Sequence, residues 1–139
     1  MNIGLLGCGV VGSEVLRIVD TLNVTTTSMK ITKILDLKPK ADPRFTNNFE
    51  DILNDTTIDT VVEVMGGIHP AYEFICACLK AKKNVVSANK AVIARYFKEF
   101  NELAKENGVS FQLEASVAGG IPWIKELKRV LRMDTISEF

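Results

Sequence analysis

The sequence predicts an α/β fold, a doubly wound and mostly parallel sheet held between two layers of helices (three-layer α/β/α). Three observations predict it. Short apolar runs alternate with helix-period stretches along the chain, the pattern of βαβ units. A glycine-rich corner, Gly7-Cys8-Gly9-Val10-Val11-Gly12, separates the first apolar run from the first helical stretch. The 139 residues are 47% hydrophobic and 24% charged, enough apolar material for one packed core and far from the composition of a disordered chain.

Each element has its own signal. Asn2-Ile3-Gly4-Leu5-Leu6 is a compact apolar run, too short for a helix, and reads as the first strand. Val11, Val15, Ile18, Val19 and Leu22 then recur at three- and four-residue intervals and give one helix an apolar face. Asn23 to Ser28 is polar and Thr-rich, a loop, and Met29 to Leu35 alternates and favours β-branched residues, a second strand. Residues 36–48 carry Pro39, Pro43 and several charges and are the least ordered-looking stretch, followed by a short helix over Phe49 to Leu53. Thr60-Val61-Val62-Glu63-Val64 is the clearest strand, closed by Gly66-Gly67. Pro70 fits a first helical turn, where its missing N–H costs little. That helix is expected to run to Ala81 and bury Tyr72, Ile75, Cys76 and Leu79. Asn84-Val85-Val86-Ser87 is another strand. Phe97, Phe100, Leu103 and Ala104 mark a helix stopped by Asn107-Gly108, and Val109 to Leu113 is the next strand. Pro122 opens a last helix with Trp123, Ile124, Leu127, Val130 and Leu131 as its apolar positions, and residues 135–139 alternate like the start of a strand.

Charge and cysteine usage exclude several function classes. With 17 Lys+Arg against 17 Asp+Glu there is no electrostatic case for nucleic acid or an anionic membrane surface. No apolar run approaches the ~20 residues that span a bilayer, and the N-terminus lacks the marks of a signal peptide. Cys8, Cys76 and Cys78 are an odd number without metal-type spacing, as expected of reduced thiols in a cytoplasmic protein.

The corner at 7–12 is G-x-G-x-x-G between a strand and a helix, the Rossmann-type arrangement. Its first glycine takes a tight turn, its second lets the backbone approach a diphosphate, and its third lets the helix pack closely on the strand. The free amides of the helix start then favour the negative charge. Asp36, ending the second strand, is placed to accept both hydroxyls of a ribose and to repel a 2′-phosphate. Asp36 therefore argues for NAD, whereas Lys38 and Lys40 would neutralise the extra phosphate of NADP unless they are merely a solvated loop. A plain structural turn and an S-adenosylmethionine site are the other readings of the same glycines.

Three further segments end strands on one edge of the expected sheet: Glu63-Val64-Met65-Gly66-Gly67, Ser87-Ala88-Asn89-Lys90, and Glu114-Ala115-Ser116-Val117-Ala118-Gly119-Gly120-Ile121-Pro122. The runs VVEVMGG, SANKA and EASVAGGIP behind GCGVVG resemble homoserine dehydrogenase over essentially the whole chain. That resemblance implies reversible reduction of aspartate 4-semialdehyde to homoserine with NADH or NADPH, on the route to threonine, methionine and isoleucine, by an enzyme that is homo-oligomeric when complete. It implies that Gly7, Gly9, Val10, Val11 and Gly12 cradle the diphosphate, with Asp36 on the adenosine ribose. Met65, Gly66, Ser87, Asn89 and Lys90 would line the nicotinamide side, and Lys90 would hold the substrate or donate a proton, unless it is only a surface lysine opening a helix. For Glu114 it implies a monovalent cation site, usually sodium, completed by the carbonyl oxygens of Val117, Gly119 and Ile121, where an ordinary hydrogen-bonded carboxylate is the plainer reading.

Members of that family are more than twice this length. The expected organisation is a nucleotide-binding domain over 1–120 and, over 121–139, a linker helix and the start of a substrate domain. Such a piece is expected to bind cofactor without turning over substrate. The rival is a stand-alone, non-catalytic dinucleotide-binding module, and a methyltransferase is a third option. His69 reads as a capping or surface residue, Cys8 as a small loop side chain without redox function, and Trp123 as core or as a surface that a further domain covers.

Overall fold

The computed structural model describes residues 1–23, 29–38 and 40–113. In chain order these form β1 (Asn2–Leu6), α1 (Val10–Asn23), β2 (Lys30–Leu35), β3 (Phe45–Thr46), α2 (Glu50–Leu53), β4 (Thr60–Glu63), α3 (Ala71–Lys80), β5 (Asn84–Ser87), α4 (Lys90–Asn107) and β6 (Phe111–Leu113). The strands make one sheet in the order β3-β2-β1-β4-β5-β6, and every neighbouring pair is parallel. The chain leaves β1 toward β2 and β3 on one side and returns to β4, β5 and β6 on the other. The order thus reverses between β1 and β4, the place where open α/β sheets leave a crevice beyond their strand ends.

The period-two alternation of the strands divides the core into two halves. Ile3, Leu5, Val62 and Val86 point to the face covered by α1, where they meet Val15 and Val19. Leu6, Val61 and Val85 point to the other face and meet Ile52, Ile75, Leu79, Val92 and Phe100 from α2, α3 and α4. Gly4 also lies on that second face. A side chain there would sit 2.7 Å from Ile52 Cγ2, so α2 packs directly on the strand backbone.

Four readings of the sequence change. Met29 to Leu35 does not alternate throughout: the pairing of β1 with β2 shifts between Ile3 and Gly4, so Ile31 and Ile34 share the α1 face although three positions apart. The stretch 36–48 is not structureless, because it supplies β3 and is pinned by Arg44. That guanidinium donates from Nη1 and Nη2 to the two carboxylate oxygens of Asp20, 3.0 Å each, and from Nη2 to Asp42 at 2.7 Å. The same hydrogen bonds hold the Asp42 carboxyl down at about 2 and raise the guanidinium further above its ordinary range. The helix marked by Phe97 begins earlier, at Lys90, because the Asn89 side chain caps it by accepting from Val92 N. Its Phe97 is half exposed, while Val92, Phe100 and Ala104 carry its buried face. Finally, Tyr72 is only partly buried, and the small residues Ala71 and Cys78 complete the buried stripe of α3.

Gly108 ends α4 in the left-handed region, with φ of 68°, and its amide returns to the last turn, as the Asn-Gly signal requires. Of the loop expected over 23–28, Asn23 instead closes α1 and the rest lies outside the described residues, as do the helix from Pro122 and the alternation at 135–139.

Candidate functional site

The strand register lines up the site. Leu35, Leu6, Glu63, Ser87 and Leu113 pair in sequence across the sheet and form its last row at the carboxyl edge. One residue beyond that row stand Asp36, Gly7, Val64 and Ala88. The segments singled out from sequence are therefore neighbours along one edge because the register places them there.

At the β1–α1 corner each glycine has a distinct physical reason. Gly7 has φ of +94°, and a side chain on it would lie 3.0 Å from Met65 Cα. The two loops that leave β1 and β4 thus touch backbone to backbone. A Cβ on Gly12 would sit 2.1 Å from Gly7 O, so the first turn of α1 rests on the strand end. A Cβ on Gly9 would meet nothing within 4 Å: space is kept open where the corner faces outward. The amide of Ser13 makes the bond to Gly9 O at 2.9 Å, which leaves the amides of Val10, Val11 and Gly12 ahead of the helical ladder. Val10 is 92% exposed at this mouth. Open space above Gly9 and free amides at a helix N-terminus have the room and polarity for a diphosphate.

Asp36 leans into the corner. Its Oδ2 accepts from Cys8 N at 3.0 Å and its Oδ1 from Lys38 N at 2.8 Å. The carboxylate is half-buried and keeps lone pairs on both oxygens beyond these bonds, so it can also accept from a diol. Lys38 is exposed, and the Lys40 ammonium lies over the Phe45 ring, 5.6 Å from its centroid. The Cys8 thiol is buried, with its sulfur 3.7 Å from Ser13 Oγ.

Along the β4 and β5 ends the construction is different. Glu63 is fully buried. Its Oε1 accepts from Met65 N at 2.8 Å and from Asn89 Nδ2 at 3.4 Å, and its Oε2 accepts from Ser87 Oγ at 2.6 Å. Asn89 also donates from Nδ2 to Gly67 O at 2.5 Å, and its own amide donates to Ser87 Oγ at 3.1 Å. Burying a carboxylate costs several kcal/mol, and each hydrogen bond to the charge returns about 1.5–3 kcal/mol, so this set of donors is what makes the burial affordable. Gly66 and Gly67 turn the chain at φ of 80° and 73° just beyond. Lys90 stands exposed as the first residue of α4, next to the cap.

The structure thus gathers Gly7, Gly9, Val10, Val11, Gly12, Asp36, Met65, Gly66, Ser87, Asn89 and Lys90 on one edge. Glu114, Val117, Gly119 and Ile121 lie outside the described residues, as does Trp123. Among the described residues no group of three or more His, Cys, Asp or Glu is placed to hold a metal ion. His69 is exposed just ahead of α3, its Nδ1 2.6 Å from Glu73 Oε1. The sequence shows Glu63 within an apolar strand but not its partners, because Ser87 and Asn89 are distant in the chain and only the β4–β5 register brings them alongside. No helix of the described residues is long and apolar enough to cross a membrane.

Comparison with known proteins agrees with this fold. Residues 7–114 match the family model described as homoserine dehydrogenase, NAD binding domain. Homoserine dehydrogenase of Bacillus subtilis is 37% identical over 99% of this chain and 35% of its own length, and that of Synechocystis is 40% identical over 94% and 33%. The chain spans about a third of the length of these curated relatives. A crystal structure of S. aureus homoserine dehydrogenase superimposes with a TM-score of 0.76 and 41% identity, covering 87% of this chain and 33% of that one.

Proposed function

Since this chain belongs to the homoserine dehydrogenase family, we propose that it is the nucleotide-binding part of an enzyme that reversibly reduces aspartate 4-semialdehyde to homoserine with a nicotinamide dinucleotide. The observation that carries the reading is the β1–α1 corner: Gly9 opens the space, Gly7 and Gly12 have no room for a side chain, and Asp36 reaches back to the Cys8 amide. The residues fit the cofactor on these grounds. Gly9, Val10, Val11 and Gly12 hold the diphosphate through their amides, and Asp36 accepts the adenosine ribose hydroxyls. Because a carboxylate at 36 repels a 2′-phosphate, NAD is the preferred dinucleotide and NADP the alternative, with the exposed Lys38 and Lys40 as cations nearby in the chain.

Met65, Gly66, Ser87 and Asn89 shape the edge on which the nicotinamide half lies. A bound nicotinamide would supply hydride to the aldehyde carbon in reduction and accept it from the carbinol carbon in the reverse direction. Lys90, at the start of α4, orients the carbonyl oxygen or delivers the proton that it takes up as hydride arrives. Residues 1–120 form the dinucleotide-binding domain, and 121–139 lead toward the substrate domain. Glu114, with the carbonyls of Val117, Gly119 and Ile121, holds a monovalent cation such as sodium at that junction.

Calorimetric titration of this chain with NADH and NADPH tests the reading, together with semialdehyde reduction by the polypeptide extended to its relatives' length. Binding of NADH more tightly than NADPH, with turnover in the extended protein, is expected. Absence of binding to either dinucleotide overturns the proposal, and binding without turnover in the extended protein reduces it to a dinucleotide-binding module.

A further inference from the structure

We propose that Glu63 is a positioning residue for the nicotinamide end of the site: its buried carboxylate fixes the turn at 65–67 and the first turn of α4 in the arrangement against which that half of the cofactor docks. The inference deepens the cofactor reading above and rests on it. Glu63 has no exposed surface, so it acts through its neighbours and does not touch a ligand.

The hydrogen-bond directions make the case. Ser87 has one hydroxyl proton and accepts from Asn89 N, so its own proton goes to Glu63 Oε2. Met65 N and Asn89 Nδ2 are donors by nature, and both face Glu63 Oε1. Each of these contacts asks Glu63 to accept, and an ionised carboxylate accepts at every position. The same Asn89 side chain donates to Gly67 O and caps α4 through Val92 N, while the Glu63 carbonyl accepts from Ala88 N at 3.1 Å. One carboxylate therefore joins three segments: the β4 turn, the end of β5 and the start of α4.

Packing alone gives no reason for a charge here. On the same face the preceding pair of positions, Val61 and Val85, is apolar and fully buried. The carboxylate replaces that pattern in the row adjoining the crevice, where Met65 N and the side chain of Asn89, the residue before Lys90, donate to it. Among the described residues, by contrast, none of the β1–α1 corner donates to the Glu63 carboxylate, whose donors are Met65, Ser87 and Asn89. The proposed role is accordingly confined to one half of the site.

Glu63→Gln in this chain tests it, because the amide sets an N–H₂ donor against donors while keeping the shape. Without ligand, hydrogen exchange at the Met65, Ala88 and Val92 amides is expected to rise about tenfold, with residues 7–12 unchanged. Affinity for NADH is expected to fall about tenfold while affinity for ADP-ribose, which lacks the nicotinamide, stays within about twofold. Equal loss for both ligands, or loss for neither, overturns the proposal and leaves the cofactor reading standing. If the unsubstituted chain binds neither ligand, the cofactor reading fails and takes the proposal with it. Should Glu63→Gln not fold, Ser87→Ala removes one donor to the carboxylate. It is expected to lower NADH affinity selectively by a smaller factor, and an unchanged ratio of NADH to ADP-ribose affinity in that folded variant overturns the proposal.

Discussion

The two ends of the candidate site are built by opposite means. At the β1–α1 corner the working surface is backbone, and what matters is the absence of side chains at Gly7, Gly9 and Gly12. At the β4 and β5 ends the surface is shaped by a buried side-chain network centred on Glu63, with Ser87 and Asn89 as its partners. A corner of the first kind fails by steric collision, which is abrupt and local. A network of the second kind fails by losing hydrogen bonds one at a time, and its failure spreads to every segment it joins. The Glu63→Gln experiment probes the network, and the variants below probe the other parts.

The largest effect is expected at the corner. In Gly12→Ala the new methyl carbon would fall 2.1 Å from Gly7 O and 2.9 Å from Gly7 C, backbone atoms that cannot swing aside as a side chain can, with Val64 Cγ2 at 3.2 Å besides. A cost of at least about 3 kcal/mol is expected, at the upper end of overpacking, read as a lower urea midpoint. Gly9→Ala is the counterpart, since its methyl meets nothing within 4 Å. Stability is then expected within about 0.5 kcal/mol of the parent, while NADH affinity falls about tenfold because the methyl occupies the space kept for the diphosphate. Equal destabilisation by the two substitutions would break the distinction between a packing glycine and a binding glycine.

That contrast also explains what the sequence made legible. A backbone that must turn tightly and accept no side chain is written locally, as glycines at fixed spacing, so the corner and the flanking β1 could be read directly. β5 was equally plain because Asn84-Val85-Val86-Ser87 is a short apolar run between polar neighbours. The Glu63 network was not legible, since Ser87 and Asn89 belong to another strand and another loop, and only sheet register makes them partners. The shift in β2 was hidden for a similar reason: a bulge changes which face Ile34 takes without changing composition. The stretch 36–48 misled because its prolines and charges resemble a free loop, whereas Arg44 ties it to Asp20 on α1.

A middle-sized effect is expected from that tie, which holds the segment following Asp36. Arg44→Gln removes the guanidinium that Asp20 and Asp42 share, costing about 1 kcal/mol at pH 7 in a partly exposed setting. The pH dependence has a definite sign. The Asp42 carboxyl is lowered to about 2 in the folded chain, chiefly by hydrogen bonding from the Arg44 side chain. Its contribution is therefore complete above the ordinary carboxylate value near 4 and is lost as the pH falls toward 2. The difference in urea midpoint between the parent and Arg44→Gln should narrow from pH 7 through pH 4 to pH 3. A difference that widens in acid would mean that the clamp is held by something other than the ionised pair.

The smallest effect on the folded chain is expected at Lys90, and its smallness is informative. The side chain is exposed and follows the cap without being part of it, since Asn89 supplies the acceptor for Val92 N. Lys90→Ala should leave the urea midpoint within about 0.5 kcal/mol of the parent and leave ADP-ribose affinity unchanged. In the polypeptide extended to its relatives' length, however, turnover should fall by about a hundredfold or more while NADH affinity changes by less than about threefold. A residue whose loss is silent in folding and costly in turnover acts on the reacting groups. Equal losses in NADH affinity and turnover would instead place Lys90 with Asn89 in the scaffold, and the proton or the hold on the carbonyl oxygen would then have to come from the substrate domain.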